Sequence, residues 1–368
     1  MDLTSYRMLG RSGLIISPIG LGTMTFGATR WGSGKDDSKA VFDAYVGAGG
    51  NFIDTADVYS RGESETMLGG LVKESGLRNR LIISTKAGYA RSEDTPLHGG
   101  NGAKNIRLGI EGSLQRLQTD YIDLYWQHVW DGITPAEEVL GSLSDAVRAG
   151  KILHYGFDTA PAWYVAKIAT LARLHGLPAP IGLQYGYSLV DRGIELEIVP
   201  AGREFGLGVV CWSPLAAGFL SGKYGRDMLA QGDRPIGLPN RAVGADEEAE
   251  SKRRLDGNNP HGGMMFSERN FEILDVLHEV ANEIGRPMAQ VALAWVVSRP
   301  GVSSVLIGAS RPQQVTENIT SLDIVLSSEQ VARLNAAGAL PSLNPYFIFD
   351  LPNTLFFGGK SVEAWPLR

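Results

Sequence analysis

The stretch NFIDTADVYS, residues 51–60, carries the pattern on which the fold prediction rests. A short apolar run ends at Asp54, and Tyr59 follows five residues later. β-branched and apolar residues that run into polar groups are typical of a parallel strand that is buried on both faces and emerges into a loop. Two further segments repeat this arrangement and carry Lys86 and His128: LIISTKAGY from residue 81 and YIDLYWQHVWD from residue 121.

Extended apolar segments alternate with helical patterns along most of the chain. Strands separated by helices predict right-handed βαβ units and a parallel sheet, and eight strands predict a closed (β/α)8 TIM barrel. The chain has 368 residues, more than the roughly 250 of a typical barrel, so we expect one elaborated α/β domain over residues 1–368. The eight strand candidates are IGLG near residue 19, NFID near 51, LIIST near 81, YIDLYW near 121, ILHYGF near 152, PIGLQY near 180, LGVVCW near 207 and SSVLIG near 303.

Three segments fall outside this repeat. Residues 6–17, YRMLGRSGLIIS, predict an N-terminal hairpin that turns at Ser12 and Gly13 and plugs the bottom of the barrel. The long loop after the seventh strand, about 225–265, is rich in Gly, Pro and charge, which is typical of a functional or mobile loop. The tail from Leu343 is aromatic, so we expect it to pack back near the barrel mouth.

Composition excludes several classes of partner. The net charge is −6 and the chain has no run of Lys or Arg, which argues against nucleic-acid binding and favours a small-molecule partner. The start lacks an apolar leader, and VALAWVV from Val291 is too short to cross a bilayer, so we expect a soluble, cytoplasmic protein that binds no membrane. The single cysteine, Cys211, lies in an apolar strand candidate and is expected to be a buried structural thiol. The oligomeric state stays open.

The chain resembles the aldo-keto reductases from the hairpin to about residue 338. The motifs that carry the resemblance are GGNFIDTADVY, ISTK, DLYWQH, a strand followed by WSPL, and IGASRPQQVTEN. Two further motifs, GFDTAPAW and QYGYSLVDR, make it most similar to bacterial members of the aryl-alcohol dehydrogenase-like and sugar dehydrogenase-like kind. Each motif alone is weak, and their shared order and spacing carry the interpretation.

The resemblance implies an oxidoreductase that moves a hydride between a nicotinamide and a carbonyl or alcohol. Asp54, Tyr59, Lys86 and His128 would form the catalytic tetrad. Tyr59 would be the general acid, Lys86 would lower the tyrosine pKa, and Asp54 would hold Lys86 charged. His128 would orient the carbonyl. Taken singly, each of these residues also fits a turn, a surface or a strand end, and only the family order favours the tetrad.

The resemblance also implies a cofactor site in the second half of the chain. Gln184 would hydrogen-bond the carboxamide, and Trp212 would stack on the nicotinamide ring. Arg311 would bind a 2′-phosphate, which favours NADPH/NADP⁺ over NADH. The pyrophosphate loop and the adenosine segment would supply the remaining cofactor contacts: Ser213, Leu215, Gly218 and Lys223, then Gly308, Ser310, Gln314 and Asn318.

The six histidines are scattered along the chain without the spacing of metal ligands, so no metal is expected.

One position departs from the family pattern. After the fifth strand the family usually has Ser followed by Asn or Asp, whereas this chain has Asp158 and Thr159. An ionised Asp158 would place negative charge near the ring, so we hypothesise that it favours NADP⁺ over NADPH, or else is held protonated. Alternatively, Asp158 points away and Thr159 takes the role of the serine.

Aromatic residues past the strand ends predict a pocket for a bulky or cyclic carbonyl compound. Two alternatives stay open: oxidation of a sugar or secondary alcohol, and a redox-sensing subunit that binds NADPH and turns over slowly. Hydrolase or isomerase chemistry is disfavoured because the chain lacks a nucleophile elbow and metal ligands. The expected pocket residues are Phe26, Trp31, Tyr89 and Trp130, with Phe347, Phe356 and Phe357 of the tail as a possible cover.

Overall fold

The structure is a computed structural model that describes residues 1–28, 32–231, 255 and 265–363. Trp31 and most of the predicted loop at 225–265 lie outside the described residues, so the expectations about them stay predictions. No helix in the described part of the chain is both long enough and apolar enough to span a membrane.

Eight parallel strands close into a barrel, which confirms the predicted fold. Each barrel strand pairs with its sequence neighbour, and the last strand closes the ring by pairing with both the strand before it and the first. Every strand candidate of the sequence corresponds to one barrel strand. The barrel strands are β3 Ile19–Gly22, β4 Phe52–Asp54, β5 Ile82–Ala87, β6 Ile122–His128, β7 Ile152–Asp158, β8 Gly182–Gly186, β9 Gly208–Trp212 and β10 Val302–Gly308.

Helices surround the barrel between successive strands. The helices are α1 Lys35–Gly47, α2 Glu63–Ser75, α3 Ala103–Leu117, α4 Ala136–Arg148, α5 Ala162–His175, α6 Ile198–Phe205, α7 Glu268–Ile284, α8 Met288–Val297, α9 Pro312–Ile319, α10 Ser328–Ala337 and α11 Tyr346–Phe349. The sequence patterns did not predict α8, because its residues from Gln290 to Val297 are all buried and it has no polar face to set a helical period.

The barrel interior is filled by a few large side chains opposite glycines. Phe52, Trp126 and Leu306 belong to a cluster inside the barrel that is separate from the larger core between the strands and the helices. A Cβ atom on Gly156 would lie 2.5 Å from the Trp126 ring, so this position has room only for glycine. The lower half of the barrel is therefore a packed core and not a channel.

The N-terminal hairpin closes the bottom of the barrel, as predicted. Its strands, β1 Arg7–Met8 and β2 Ile15–Ile16, are antiparallel. Between them Leu9 is fully buried in the interior cluster, and the Arg11 N–H donates a 2.8 Å hydrogen bond to the Gly206 carbonyl just before β9. The plug thus binds the barrel through both apolar packing and main-chain hydrogen bonding.

Burial tests the expectation for Cys211 and the expectation for the aromatic tail. Cys211 on β9 is fully buried, and burial raises the pKa of its thiol, which confirms a structural role. In the tail, the Tyr346 hydroxyl donates a 2.8 Å hydrogen bond to Glu197 at the start of α6, on the mouth side of the barrel. The rings of Phe347, Phe356 and Phe357 are between 47% and 61% exposed, so their predicted role as a cover over the mouth is not confirmed.

Candidate active site

The C-terminal ends of β4 to β9 bring the predicted polar residues together at one end of the barrel. Because neighbouring strands are parallel and nearly in register, residues that end adjacent strands become spatial neighbours. The pairing places Asp54 opposite Ser84, Lys86 opposite Trp126, His128 opposite Asp158, Asp158 opposite Gln184, and Gly186 opposite Trp212.

Asp54 is the most heavily hydrogen-bonded group of the site. Its Oδ1 accepts hydrogen bonds from Ser84 Oγ at 2.5 Å, Trp126 Nε1 at 3.1 Å and Gln184 Nε2 at 3.1 Å. Its Oδ2 accepts from the Lys86 ammonium. A buried carboxylate is stable only when its oxygens are paired in this way, so the surrounding strands fix both the charge and the position of Asp54.

Lys86 is fully buried and connects Asp54 to Tyr59. Its Nζ also donates to the Thr55 carbonyl at 2.9 Å and to the Tyr59 hydroxyl at 3.2 Å. Burial by itself lowers the pKa of Lys86, but attraction to Asp54, Tyr59 and Asp158 outweighs it, and the lysine pKa is raised. Lys86 therefore stays a cation at any physiological pH.

The pKa of Tyr59 is raised, whereas the sequence interpretation expected Lys86 to lower it. Burial raises this pKa, the charge of Lys86 lowers it, and the charges of Asp54 and Asp158 raise it again. The lysine acts in the direction that the sequence predicted, but burial dominates and the net shift is upward. Tyr59 thus holds its proton firmly until a basic oxygen arrives beside it.

His128 is a neutral imidazole at the end of β6. Burial lowers its pKa well below the usual value, and the positive charge of Lys86 lowers it further. Its ring packs edge-on against Tyr89, with ring centroids 4.6 Å apart, and lies 6.4 Å from the ring of Tyr59. Nδ1 is buried and makes no hydrogen bond to the described residues. A neutral histidine can donate one hydrogen bond without acting as a competing acid.

Asp158 is buried beside His128, whereas its neighbour Thr159 is exposed. The Thr159 hydroxyl donates a 2.7 Å hydrogen bond to Asp158 Oδ1, and Asp158 Oδ2 lies 3.8 Å from His128 Nε2. The alternative in which Asp158 points away from the site is therefore wrong. The carboxyl group belongs to the site, and Thr159 supports it.

The segment after β9 forms a tight loop at the mouth. The indole of Trp212 packs against Gly186, where an added Cβ would lie 2.9 Å from the ring. Further along, a Cβ on Gly218 would lie 2.7 Å from Lys223 Nζ, so the lysine folds back over the loop. The predicted residues Ser213 and Leu215 lie between these points, and the Leu215 carbonyl accepts from the Gly218 N–H at 2.9 Å.

The start of α9 gathers the predicted adenosine-site residues. Arg311 is exposed directly before the helix, and Ser310 precedes it after Gly308 ends β10. The Gln314 side-chain oxygen accepts from the Ser310 N–H at 2.8 Å and from the Arg311 N–H at 3.3 Å. Gln314 therefore caps the helix start, a role that the sequence interpretation did not assign to it. Asn318 is half-buried one turn further along.

The predicted substrate-pocket residues differ in their placement. Phe26 is fully buried in the main core, so its side chain presents no surface to a substrate. Tyr89 is 42% exposed beside His128. Trp130 is partly buried and packs edge-on against Trp163, with ring centroids 5.5 Å apart. For Tyr89 and Trp130 the predicted role as aromatic walls of a pocket stays a prediction.

Backbone strain is concentrated immediately after the strand ends. Among the described residues, eight other than glycine have positive φ, and only Gln118 lies away from the mouth, at the end of α3. Val129 follows His128 with φ of 66°, an unfavourable conformation for a β-branched residue. Such strain is typical of functional sites whose loops are held in place by their surroundings. The others are Ser60, Arg61, Thr159, Ser213, Ala216 and Ala217.

The sequence interpretation missed residues that support the tetrad from below. Ser84 and Trp126 stand two positions before Lys86 and His128, and alternation along a strand points both pairs into the barrel. This alternation in the sequence could have identified Ser84 and Trp126.

The sequence interpretation also missed the buried ion pair between Asp57 and Arg91, which are 2.9 Å apart. Burial raises the pKa of Asp57 to about 7, although Arg91 lowers it.

No group of three or more His, Cys, Asp or Glu side chains in the described ranges could hold a metal ion. The described site residues instead form one buried cation, two buried carboxyl groups, a neutral histidine and a tyrosine at the mouth of a (β/α)8 barrel. The model of the Aldo/keto reductase family matches residues 18–339, which is most of the chain. The chain therefore belongs to the aldo/keto reductase family.

Individual relatives are similar over nearly their whole length. The chain is 31% identical to norsolorinic acid reductase B of Dothistroma septosporum over 98% of this chain and 87% of the relative. It is 30% identical to the aryl-alcohol dehydrogenase [NADP(+)] of Phanerodontia chrysosporium, over 97% and 92%. It is also 32% identical to a probable voltage-gated potassium channel subunit beta of Oryza sativa subsp. japonica, over 90% and 95%. Family and relatives together support oxidoreductase chemistry on a small-molecule carbonyl or alcohol.

Proposed function

We propose that this protein is an NADP-dependent oxidoreductase that interconverts a carbonyl compound and its alcohol, with Tyr59 as the general acid. The observation that carries the proposal is the buried Lys86 ammonium, which is hydrogen-bonded to both Asp54 and Tyr59. Burying a lysine between a carboxylate and a tyrosine hydroxyl costs stability, because desolvating these charges is expensive. Buried charges that carry such a cost are typical of functional sites.

The side chains of the site divide the proton chemistry between them. When Tyr59 gives its proton to a developing alkoxide, its phenolate is left 3.2 Å from the Lys86 ammonium, which stabilises it. Neutral His128 would donate a hydrogen bond to the carbonyl oxygen and orient it. In the oxidative direction the same Tyr59 oxygen would take the alcohol proton. General acid catalysis of this kind contributes about 10²- to 10⁴-fold to the rate.

The residues at the mouth fit a dinucleotide with a 2′-phosphate. Lys223 folded over Gly218 offers a cation for pyrophosphate, while Ser310 and Arg311 offer donors at the start of α9. Gln184 and Trp212 would hold the nicotinamide near Tyr59. A bound NADPH would supply the hydride. A relative named as an NADP(+) enzyme is in keeping with this assignment.

A bulky, ring-bearing substrate suits the aromatic walls at Tyr89 and Trp130. The relative named as an aryl-alcohol dehydrogenase favours the same substrate class. Oxidation of a sugar or secondary alcohol uses the same residues and is the alternative within this proposal. The assay is NADPH oxidation with aromatic aldehydes, cyclic ketones and sugar-derived carbonyls, together with the reverse reaction. The absence of turnover with every substrate class, in both directions, would contradict the proposal.

The preference for NADPH over NADH is tested at Arg311. Arg311→Ala removes the guanidinium proposed to bind the 2′-phosphate, so we expect the NADPH dissociation constant to rise about tenfold while that of NADH stays unchanged. Arg173→Ala on the exposed side of α5 is the matched control and should change neither constant. Equal weakening of both cofactors by Arg311→Ala would show that Arg311 does not recognise the 2′-phosphate.

A second candidate function is an NADPH-binding subunit with slow turnover. It is favoured by the relative named as a potassium channel subunit beta, which matches 90% of this chain. The two functions differ in the rate of NADPH release and in whether the chain forms a stable complex with a larger protein. NADPH release that is faster than turnover, together with the absence of such a complex, would support the function as an enzyme.

A further inference from the structure

We propose that Asp158 sets the preference of this site between the two redox states of its cofactor, with the carboxylate favouring NADP⁺ over NADPH. The inference rests on the proposed function, because it assumes that a nicotinamide binds beside Gln184 and Trp212. Three features of the site carry it: the position of the carboxylate, its surplus charge, and the ability of that charge to change near neutral pH.

The position of Asp158 is fixed from both sides. It ends β7 and pairs in register with His128 on β6 and with Gln184 on β8. One of its oxygens accepts a 2.7 Å hydrogen bond from the Thr159 hydroxyl, and the Trp212 side chain is close enough to lower the pKa of Asp158. The carboxyl group thus lies beside both residues that are proposed to hold the nicotinamide.

In the part of the chain that the structure describes, no lysine or arginine forms a salt bridge with Asp158. Lys86 is the cation of the site, and its ammonium is hydrogen-bonded to Asp54. The strands that flank Asp158 contribute His128, which is neutral, and Gln184, which carries no charge. The site therefore holds one cation against two carboxyl groups, and ionised Asp158 supplies the surplus negative charge.

A surplus negative charge distinguishes the two forms of the cofactor. Oxidised nicotinamide carries a positive charge on the ring, whereas the reduced ring is neutral. At separations of several ångströms and the effective dielectric of a partly buried site, this attraction corresponds to roughly tenfold or more in relative affinity. The rest of the molecule is the same in both forms, so the ratio of their dissociation constants reports how the site responds to the ring charge, and the change of that ratio in an Asp158 variant isolates the effect of Asp158.

The preference should depend on pH. Burial raises the pKa of Asp158 to about 6, while Lys86 and the Thr159 hydrogen bond lower it. Of the groups that face it, Lys86 has a raised pKa and stays charged, and His128 has a lowered pKa and stays neutral. Tyr59, Tyr89 and Tyr185 have raised pKa values and stay protonated. The Asp54 carboxylate also acts on Asp158 and is paired with Lys86. Asp57, with a pKa near 7, also titrates here, but it is paired with Arg91 outside this group.

The sign follows from the ionised form. Above about pH 6 Asp158 is ionised and attracts the cationic ring, and below it the neutral carboxyl group does not. The ratio of the NADP⁺ to the NADPH dissociation constant should therefore fall as pH rises through 6. The 2′-phosphate, which titrates near the same pH, is common to both cofactors and cancels in this ratio.

The experiment is titration of the full-length protein with NADP⁺ and with NADPH from pH 5 to pH 8.5, followed by tryptophan fluorescence. In the wild type we expect the ratio to fall about tenfold or more across this range. In Asp158→Asn, which keeps the shape and removes the charge, the ratio should be independent of pH and stay at the acidic value. In Thr159→Val the carboxylate remains, and the midpoint should shift upward because a hydrogen bond that lowers the pKa of Asp158 is lost.

The outcomes separate this inference from the proposed function. If both cofactors bind and Asp158→Asn leaves the ratio at pH 8 unchanged, the inference fails and the proposed function stands. If the wild type binds neither cofactor, both fail. Should Asp158→Asn not fold, Asp158→Ser and the wild-type pH profile decide, since a flat wild-type profile also overturns the inference.

Discussion

At the scale of single residues, the site is a set of buried charges that depend on each other. Lys86 is fully buried, and Asp54 receives hydrogen bonds from four side chains. Removing one member of a buried ion pair leaves an uncompensated charge, which is far more costly than removing both. The pair therefore supports Tyr59 at a cost in stability that the rest of the barrel must offset.

This dependence gives a prediction at Asp54. Asp54→Asn should lower the free energy of unfolding by about 3–5 kcal/mol, because the buried Lys86 ammonium loses the carboxylate with which it is paired. Adding Lys86→Met to Asp54→Asn should recover part of that loss, since the charge is then removed as well. Both variants should be inactive. Urea unfolding monitored by circular dichroism measures the two losses, and a double variant less stable than the single one would contradict the account.

The grouping of Asp54, Tyr59, Lys86 and His128 at one site could be predicted from sequence, but the electrostatics of that group could not. Asp54, Lys86 and His128 end or nearly end apolar runs, which is a one-dimensional signal. The direction of the Tyr59 pKa depends on how deeply the ring is buried and on Asp158, which is 99 positions away in the chain. Phe26 was predicted as a pocket wall because it follows a strand, and only packing shows that it lies in the core.

At the scale of elements, the barrel strands position polar residues at one end of the barrel, and the N-terminal hairpin closes the other end. Polar residues cluster at the C-terminal ends of β4 to β9, while Leu9, Leu14 and Ile16 of the hairpin fill the opposite opening. The bottom of a barrel of this kind contributes stability and the top contributes function. The two ends should therefore respond differently to substitution.

Leu9 tests this division. Leu9→Ala removes a fully buried side chain and should lower the free energy of unfolding by about 2–5 kcal/mol, with the turnover of the folded enzyme unchanged. The adjacent Met8→Ala is the control, because Met8 is 63% exposed and should have little effect. Thermal or urea unfolding measures stability. A change in turnover without loss of stability would show that the hairpin acts on the site.

Element prediction succeeded where the hydrophobic period was clear. All eight barrel strands followed from the patterns. The helix α8 did not, because burial on all sides removes the alternation of polar and apolar residues that identifies a helix. The helix α10 was also not predicted, although Ser327 caps its start through a hydrogen bond from the Gln330 N–H.

At the scale of the whole molecule, the barrel combines parts from both halves of the chain. The first half supplies Asp54, Tyr59, Lys86 and His128, and the second half supplies the proposed cofactor residues. Gln184 joins the two halves, because its side chain donates to Asp54 at 3.1 Å. A ligand held by Gln184 would therefore lie close to the charges of Asp54 and Lys86. Long-range contacts of this kind follow from barrel closure, which strand counting predicted.

A comparison of the wild type with Tyr59→Phe, in NADPH binding and in a single turnover of a reducible carbonyl, tests whether Tyr59 is the general acid. We expect an NADPH dissociation constant within about twofold of the wild type and a hydride-transfer rate lower by about 10²- to 10⁴-fold, because only the proton donor is lost. Tyr59→Phe reducing the carbonyl at the wild-type rate would contradict Tyr59 as the general acid.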